Sequence, residues 1–215
     1  MGRIAIIDYG MGNVRSVQKG LERLGFFATI TRSTKVLEDC SHLILPGVGA
    51  FPDCMRNLKH YGLIDPIFRE LEKGKPFLGI CLGYQLLFKE SEEFGFHPGL
   101  GVLEGRVLRF QNELERSGKG IETKERLKIP HMGWNKILVR KPSPLFKGLP
   151  EELYLYFVHS YYVVPDHSDI ISSYTTYGIQ FASSIWKDHI FACQFHPEKS
   201  QDYGLEILKN FGSLS

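Results

Sequence analysis

The sequence predicts an α/β protein with a mostly parallel central sheet flanked by helices, and an additional antiparallel or mixed sheet in its second half. Two observations carry this. Between residues 1 and 90, short β-branched apolar runs alternate with helical stripes, the pattern of βαβ units. Beyond residue 99, strand-like segments rich in Val, Ile, Tyr and Phe succeed one another, as in antiparallel or mixed sheet.

The elements follow in order. RIAIID (3–8) is a buried strand, closed by Asp8 and Gly10. In the next stretch Val14, Val17, Leu21 and Leu24 recur at helical spacing, with Asn13 placed to cap the start and Gly25 to end it. FFATIT (26–31) is a second strand, and SHLILPG (41–47) a third, stopped by Pro46 and Gly47. GLIDPIFRELEKG (62–74) carries a helical stripe. KPFLGIC (75–81) is a fourth strand, and LGYQLLFKES (82–91) the helix after it. The strand-like segments of the second half are 99–110, 134–140, 153–164, 170–177, 181–186 and 190–198. Leu205, Leu208 and Phe211 mark one face of a final helix. Residues 111–128 are polar and charged and read as an exposed loop. No repeat or linker divides the chain, so its 215 residues are expected to form a single domain, 1–215.

Composition excludes several classes. A formal net charge of +2 with scattered basic residues gives no nucleic-acid-binding surface. None of the four cysteines stands in a C-x-x-C pair, which removes zinc knuckles and thioredoxin motifs. The N-terminal apolar run is too short for a signal peptide or a membrane span. The expected setting is a reducing cytoplasm with free thiols.

The stretch GICLGYQLL (79–87) places Cys81 between Gly79 and Gly83, where strand gives way to helix. A sharp strand-to-helix turn raises its central residue at the carboxyl end of a sheet and demands small neighbours. The helix that follows favours a thiolate there. A buried structural cysteine would fit the same pattern. A thiol nucleophile needs a base, and the base an orienting group. His196 and Glu198, in QFHPEKS at the end of an apolar strand, are two residues apart and project to one side of an extended chain. Pro197 biases His196 towards that geometry. The zinc-deaminase reading of H-x-E fails, because no cysteine follows residue 193. In LPGVGAF (45–51), Gly47 and Gly49 flank Val48 after a strand. Such a turn can offer the Val48 N–H to an oxyanion, with the Leu82 N–H as the second donor; an ordinary glycine-rich turn is the alternative.

These three motifs, PGVGAF, GICLGYQLL and QFHPEKS, stand in this order in class I glutamine amidotransferases, which the chain resembles over nearly its whole length. The resemblance implies a three-layer, flavodoxin-like fold, with Cys81 as nucleophile, His196 as base and Glu198 as its orienter. It implies L-glutamine as substrate, bound by Gly47, Gly49, Gln85, Ser160 and Tyr161, with no cofactor and no metal. IDYGMGNVRSV (7–17), PHMGWN (130–135) and YFVHSYY (156–162) are similar to the glutaminase subunits of imidazole glycerol phosphate synthases, from histidine biosynthesis. Such a subunit docks on a separate barrel-shaped cyclase as a heterodimer. Asn13, Arg15, Trp134, Tyr156 and Lys199 are the implied contacts with that partner. DYGMGN is not a dinucleotide-binding turn, since Arg15 replaces the third glycine. The charged segment 111–128 is long for the family and affects partner contacts rather than chemistry. Alternatives left open are a paralogous amidotransferase feeding a different barrel synthase, for example in surface-sugar amination, a non-catalytic binding subunit, and a cysteine peptidase sharing the turn.

Overall fold

The computed structural model describes residues 2–110 and 127–214; most of the charged segment 111–128 lies outside them. Parallel β-sheet comes first. Strands β1 (Arg3–Ile7), β2 (Phe27–Thr31), β3 (His42–Gly47) and β4 (Phe77–Cys81) join later strands in a nine-stranded sheet ordered β2-β1-β3-β4-β13-β12-β11-β8-β9. Here β8 is His131–Val139, β9 Glu152–His159, β11 Ile171–Tyr177, β12 Ile179–Lys187 and β13 Ile190–Cys193. Pairing is parallel from β2 through β13 and antiparallel from β13 to β9. The second half therefore extends the first sheet. It also supplies two strands of a four-stranded mixed sheet, ordered β10-β7-β5-β6. Its strands are β5 (Phe88–Ser91), β6 (His97–Pro98), β7 (Leu103–Arg109) and β10 (Tyr161–Pro165).

The helices are α1 (Val14–Arg23), α2 (Thr34–Asp39), α3 (Phe51–His60), α4 (Ile64–Glu72), α5 (Leu82–Leu86) and α6 (Gln201–Gly212). Apolar residues on both sheet faces form two buried clusters. One gathers Ala5, Ile7, Leu43 and Leu45 with α3, α4 and α5; the other gathers Ile4, Ile6, Ile44 and Ile80 with α1 and α6. Strands covered on both faces read as continuous apolar runs, which is why β1 and β3 were visible in sequence. Helices α2 and α3 carry no assignment from sequence.

Two expected elements differ. The helix expected over 82–91 stops at Leu86, and β5 begins at Phe88. The cause is tertiary: the N–H groups of Leu100, Leu103 and Gly101 take the carbonyls of Leu86, Leu87 and Phe88. The single strand expected over 153–164 divides at Ser160, where the chain leaves the large sheet as β9 and enters the small one as β10. Asn13 occupies the cap position of α1 but makes no capping hydrogen bond with its side chain.

Glycines set the approach of β3, β4 and α5. A Cβ on Gly83 would fall on the Leu45 carbonyl oxygen. One on Gly79 would lie 2.8 Å from the Gly83 oxygen, and one on Gly47 would lie 2.7 Å from the Gly83 nitrogen. Gly83→Ala is therefore expected to destabilise the protein by about 3 kcal/mol, the upper end of what overpacking costs, since backbone must shift. Gly62 has φ +63 and open space around it, so Gly62→Asn should change stability by less than about 1 kcal/mol. Thermal melts of the two variants check both outcomes.

Candidate active site

The carboxyl ends of three adjacent parallel strands carry the chemistry-bearing residues. Gly47 of β3 pairs with Cys81 of β4, and Cys193 of β13 pairs with Ile80. Residues 194–196 therefore run past the end of β4, beside Cys81. Cys81 adopts φ 56 and ψ −109, a strained shape for a residue with a side chain. This is the sharp strand-to-helix turn expected from the flanking glycines. The helix behind it has only five residues, so its dipole offers the sulfur little.

His196 and Glu198 are together, by a route other than the expected extended strand. His196 is extended (φ −104, ψ 95), but residues 197–199 form a 3-10 turn that folds Glu198 back. His196 Nδ1 lies 2.8 Å from Glu198 Oε1, both side chains 1% exposed. A carboxylate on Nδ1 fixes the tautomer and leaves Nε2 as the basic nitrogen. Nε2 has no partner meeting the full geometry of a hydrogen bond, which is common for a base in an unliganded site. Its coupling to the sulfur is nevertheless strong. Burial lowers the proton affinity of His196, but the Cys81 thiolate and the Glu198 carboxylate outweigh it, raising the pKa to about 10. The turn is braced from two sides. Ser200 Oγ donates to the His196 carbonyl at 2.7 Å and accepts the Tyr156 N–H at 2.9 Å. Gly204 has no side chain to strike the Pro197 carbonyl, so α6 packs directly on the turn.

The PGVG turn meets the start of α5. A Cβ on Gly47 would lie 2.8 Å from Leu82 Cβ, so the amides of Val48 and Leu82 belong to facing segments. Gly49 has φ +100, and Val48 is exposed. Ser160 and Tyr161 line a cavity of about 530 Å³ with Glu92, Glu93, Phe94, Phe96 and Arg109. Glu93 has no signal in sequence. Its carboxylate accepts the Phe51 N–H at 2.7 Å, at the start of α3, and burial raises its pKa despite that bond. Gln85 is buried, with its amide committed within the protein: Nε2 donates to the Tyr161 carbonyl at 3.0 Å and to Gln194 Oε1 at 2.9 Å.

Of the implied partner contacts, Trp134, Tyr156 and Lys199 cluster. The Trp134 and Tyr156 ring centroids are 6.2 Å apart, and Lys199 Nζ lies 5.8 Å from the Tyr156 ring. Asn13 turns inward, its Nδ2 3.4 Å from Glu198 Oε1. Arg15 is exposed and, among the described residues, hydrogen-bonds locally to Gln18. Among the described residues no group of His, Cys, Asp or Glu is arranged to hold a metal ion, and no helix is long and apolar enough to cross a membrane.

Sequence reasoning also missed a buried histidine pair. His159 Nδ1 donates to the Tyr161 carbonyl at 2.8 Å, so its Nε2 accepts from His131 Nδ1 at 2.9 Å, and His131 Nε2 accepts from Asn135 Nδ2 at 3.1 Å. A carbonyl at one end sets every tautomer in the row. The pair ties β8 to the residues lining the cavity.

A turn-mounted cysteine, a carboxylate-held histidine and a glycine turn at one sheet end make a candidate acyl-transfer site on an α/β fold of the amidotransferase type. The family model for class I glutamine amidotransferases matches residues 5–213, and the chain belongs to that family. Within it the chain groups with proteins named imidazole glycerol phosphate synthase subunit HisH. That of Syntrophotalea carbinolica is 53% identical, covering 98% of this chain and 100% of the relative. That of Geobacter sulfurreducens is 52% identical, covering 100% of both. Among solved structures, PurLQS from Thermotoga maritima matches with a TM-score of 0.73 at 19% identity, over 98% of each chain. A structure described as glutamine amidotransferase matches at 0.68 and 23%, over 97% and 98%. At such identities the likeness concerns the fold.

Two predictions follow from the electrostatics. Alkylating Cys81 removes the thiolate charge, so the His196 pKa should fall; NMR titration of the imidazole before and after alkylation reads this. Burial holds His131 at about 4 and His159 at about 3. Both lie below the usual histidine value of about 6.5, so the unfolded chain takes up protons first as pH falls. The stability they contribute is complete above about pH 6.5 and is lost as pH drops towards those values. His131→Gln should flatten that slope in melts recorded between about pH 7 and 4.

Proposed function

We infer that this chain is the glutaminase subunit of imidazole glycerol phosphate synthase, hydrolysing L-glutamine to glutamate and supplying ammonia to a partner subunit in histidine biosynthesis. The observation that carries the reading is the buried His196–Glu198 pair beside Cys81, in a chain about half identical to HisH subunits over its full length. The Cys81 thiolate attacks the side-chain amide carbon of glutamine. The N–H groups of Val48 and Leu82 hold the tetrahedral oxyanion; one such donor is typically worth about 2.7–4 kcal/mol. The imidazolium of His196 gives its proton to the departing nitrogen, and ammonia leaves. The sulfur is now a neutral thioester, so the largest influence raising the proton affinity of His196 is gone. The imidazole can then take a proton from water, whose hydroxide attacks the thioester; glutamate leaves and the thiolate returns. One residue thus serves as acid and then base, switched by the charge on the sulfur it faces.

Ser160, Tyr161, Gly47 and Gly49 line the path of the glutamine main chain, and the Glu93 carboxylate suits its α-ammonium. The partner is a barrel-shaped cyclase. The cluster of exposed Trp134 and Lys199 with half-buried Tyr156 borders the His196–Glu198 turn on the face through which ammonia would leave; Asn13 reaches Glu198, and Arg15 is exposed two residues further along. Ammonia then has a short way to a second active site, which favours this reading over a stand-alone hydrolase. The exposed glycine-flanked Val48 turn can reorient its amide, which makes slow glutamate release by the isolated chain, and acceleration by the liganded partner, the expected behaviour.

The test uses the complex with the cyclase subunit. Cys81→Ala should abolish glutamine-dependent synthesis and leave ammonium-dependent synthesis intact; loss of both would make Cys81 structural. Glu198→Gln should lower kcat on the order of 10²–10⁴-fold. Comparing glutamate release with and without the liganded cyclase tests the gating, and full activity of the isolated chain would remove it.

A further inference from the structure

The mechanism above leaves Gln194 without a task. It is fully buried, in the segment that runs from β13 to His196. Its Oε1 accepts from Gln85 Nε2 at 2.9 Å, and its Nε2 stands 3.7 Å from Cys81 Sγ. The two ends of an amide side chain look alike, so their assignment needs an argument. Here a backbone carbonyl supplies it. The Tyr161 oxygen can only accept, so the end of Gln85 that faces it at 3.0 Å is the NH₂ group. That same NH₂ faces Gln194, which therefore presents oxygen to Gln85. The remaining end of Gln194, its NH₂, must point at the sulfur. The Tyr161 carbonyl is itself held by His159 Nδ1 at 2.8 Å, so the reference point of the row is fixed.

Two other groups face the sulfur: the His196 imidazolium, whose charge also favours the thiolate, and a carbonyl with the opposite preference. Cys81 Sγ lies 3.8 Å from the Val158 carbonyl, which can only accept and so favours the thiol. An amide N–H favours the thiolate. We propose that Gln194 is a catalytic residue: its buried side-chain N–H holds the Cys81 sulfur in the thiolate form, in an orientation imposed by the Tyr161 carbonyl through Gln85. Its contribution to glutamine turnover rests on the functional reading above; its action on the sulfur does not. The same N–H is aimed at the atom where negative charge returns when the thioester breaks, so both halves of the reaction use it.

The experiment measures alkylation of Cys81 by iodoacetamide in the purified chain, with mass spectrometry to separate it from the other three free cysteines. Gln194→Met keeps the length of the side chain and removes the donor. Its rate at about pH 7 should fall about tenfold, and converge with the unmodified chain near pH 10, where thiols ionise unaided. Gln194→Glu places a carboxylate against the sulfur and should react more slowly still at pH 7. It also answers the question if Gln194→Met does not fold. In the complex, Gln194→Met should lower kcat about tenfold with KM within about twofold. A rate at pH 7 within about twofold of the unmodified chain overturns the proposal, as does an equal loss at both pH values, which would mean a displaced sulfur. If alkylation responds as expected while the complex shows no glutaminase activity, the functional reading fails and the role of Gln194 towards the sulfur stands.

Discussion

The close approach of β3, β4 and α5 is the constraint on which the rest depends. Gly47, Gly79 and Gly83 have no side chains because backbone atoms of neighbouring segments already occupy that space. Only with those segments in contact can Cys81 be held at positive φ. That conformation is unfavourable for an isolated residue, and the packed strand ends over-determine it. The close approach of the PGVG turn to the start of α5 is a consequence of the same contact.

The electrostatics follow from burial. His196, Glu198, Gln85 and Gln194 sit where water is largely excluded, so each charge or dipole acts with little screening. A buried imidazole would ordinarily lose its proton. Here the sulfur and the carboxylate reverse that preference, and the reversal depends on the charge state of the sulfur. Neutralising the sulfur would therefore change the proton affinity of the imidazole without any movement of the protein. His131 and His159 meet no carboxylate among the described residues, and burial keeps them neutral. Two sets of histidines in one protein therefore do opposite things, according to what faces them.

Much of this was legible in the sequence, and the misses have identifiable causes. Glycine spacing around Cys81 reported the crowded turn, because a close backbone approach leaves glycine no substitute. H-x-E reported that His196 and Glu198 would meet, although the 3-10 turn that joins them gave no sign in the sequence. The end of α5 was misjudged, because the carbonyls of Leu86, Leu87 and Phe88 are claimed by residues 100–103, and helical periodicity cannot sense a distant donor. Gln194 stood in plain view beside His196. Nothing in spacing distinguishes a glutamine aimed at sulfur from one aimed at solvent. Glu93 and the His131–His159 pair were hidden for the same reason, since each acquires its role from a partner far along the chain.

Sequence alone determined the α/β class, the order of the parallel strands' elements, and the residue types that could serve as nucleophile, base and orienter. Those properties are written in local pattern: periodicity, glycine spacing and residues two apart. Tertiary structure alone decided that β13 lies beside β4, which brings residues 194–198 to Cys81 across more than a hundred positions. It also decided the direction of each buried amide and imidazole. Those choices depend on long-range strand pairing and on single backbone carbonyls that accept and never donate, and neither leaves a periodic trace in the chain.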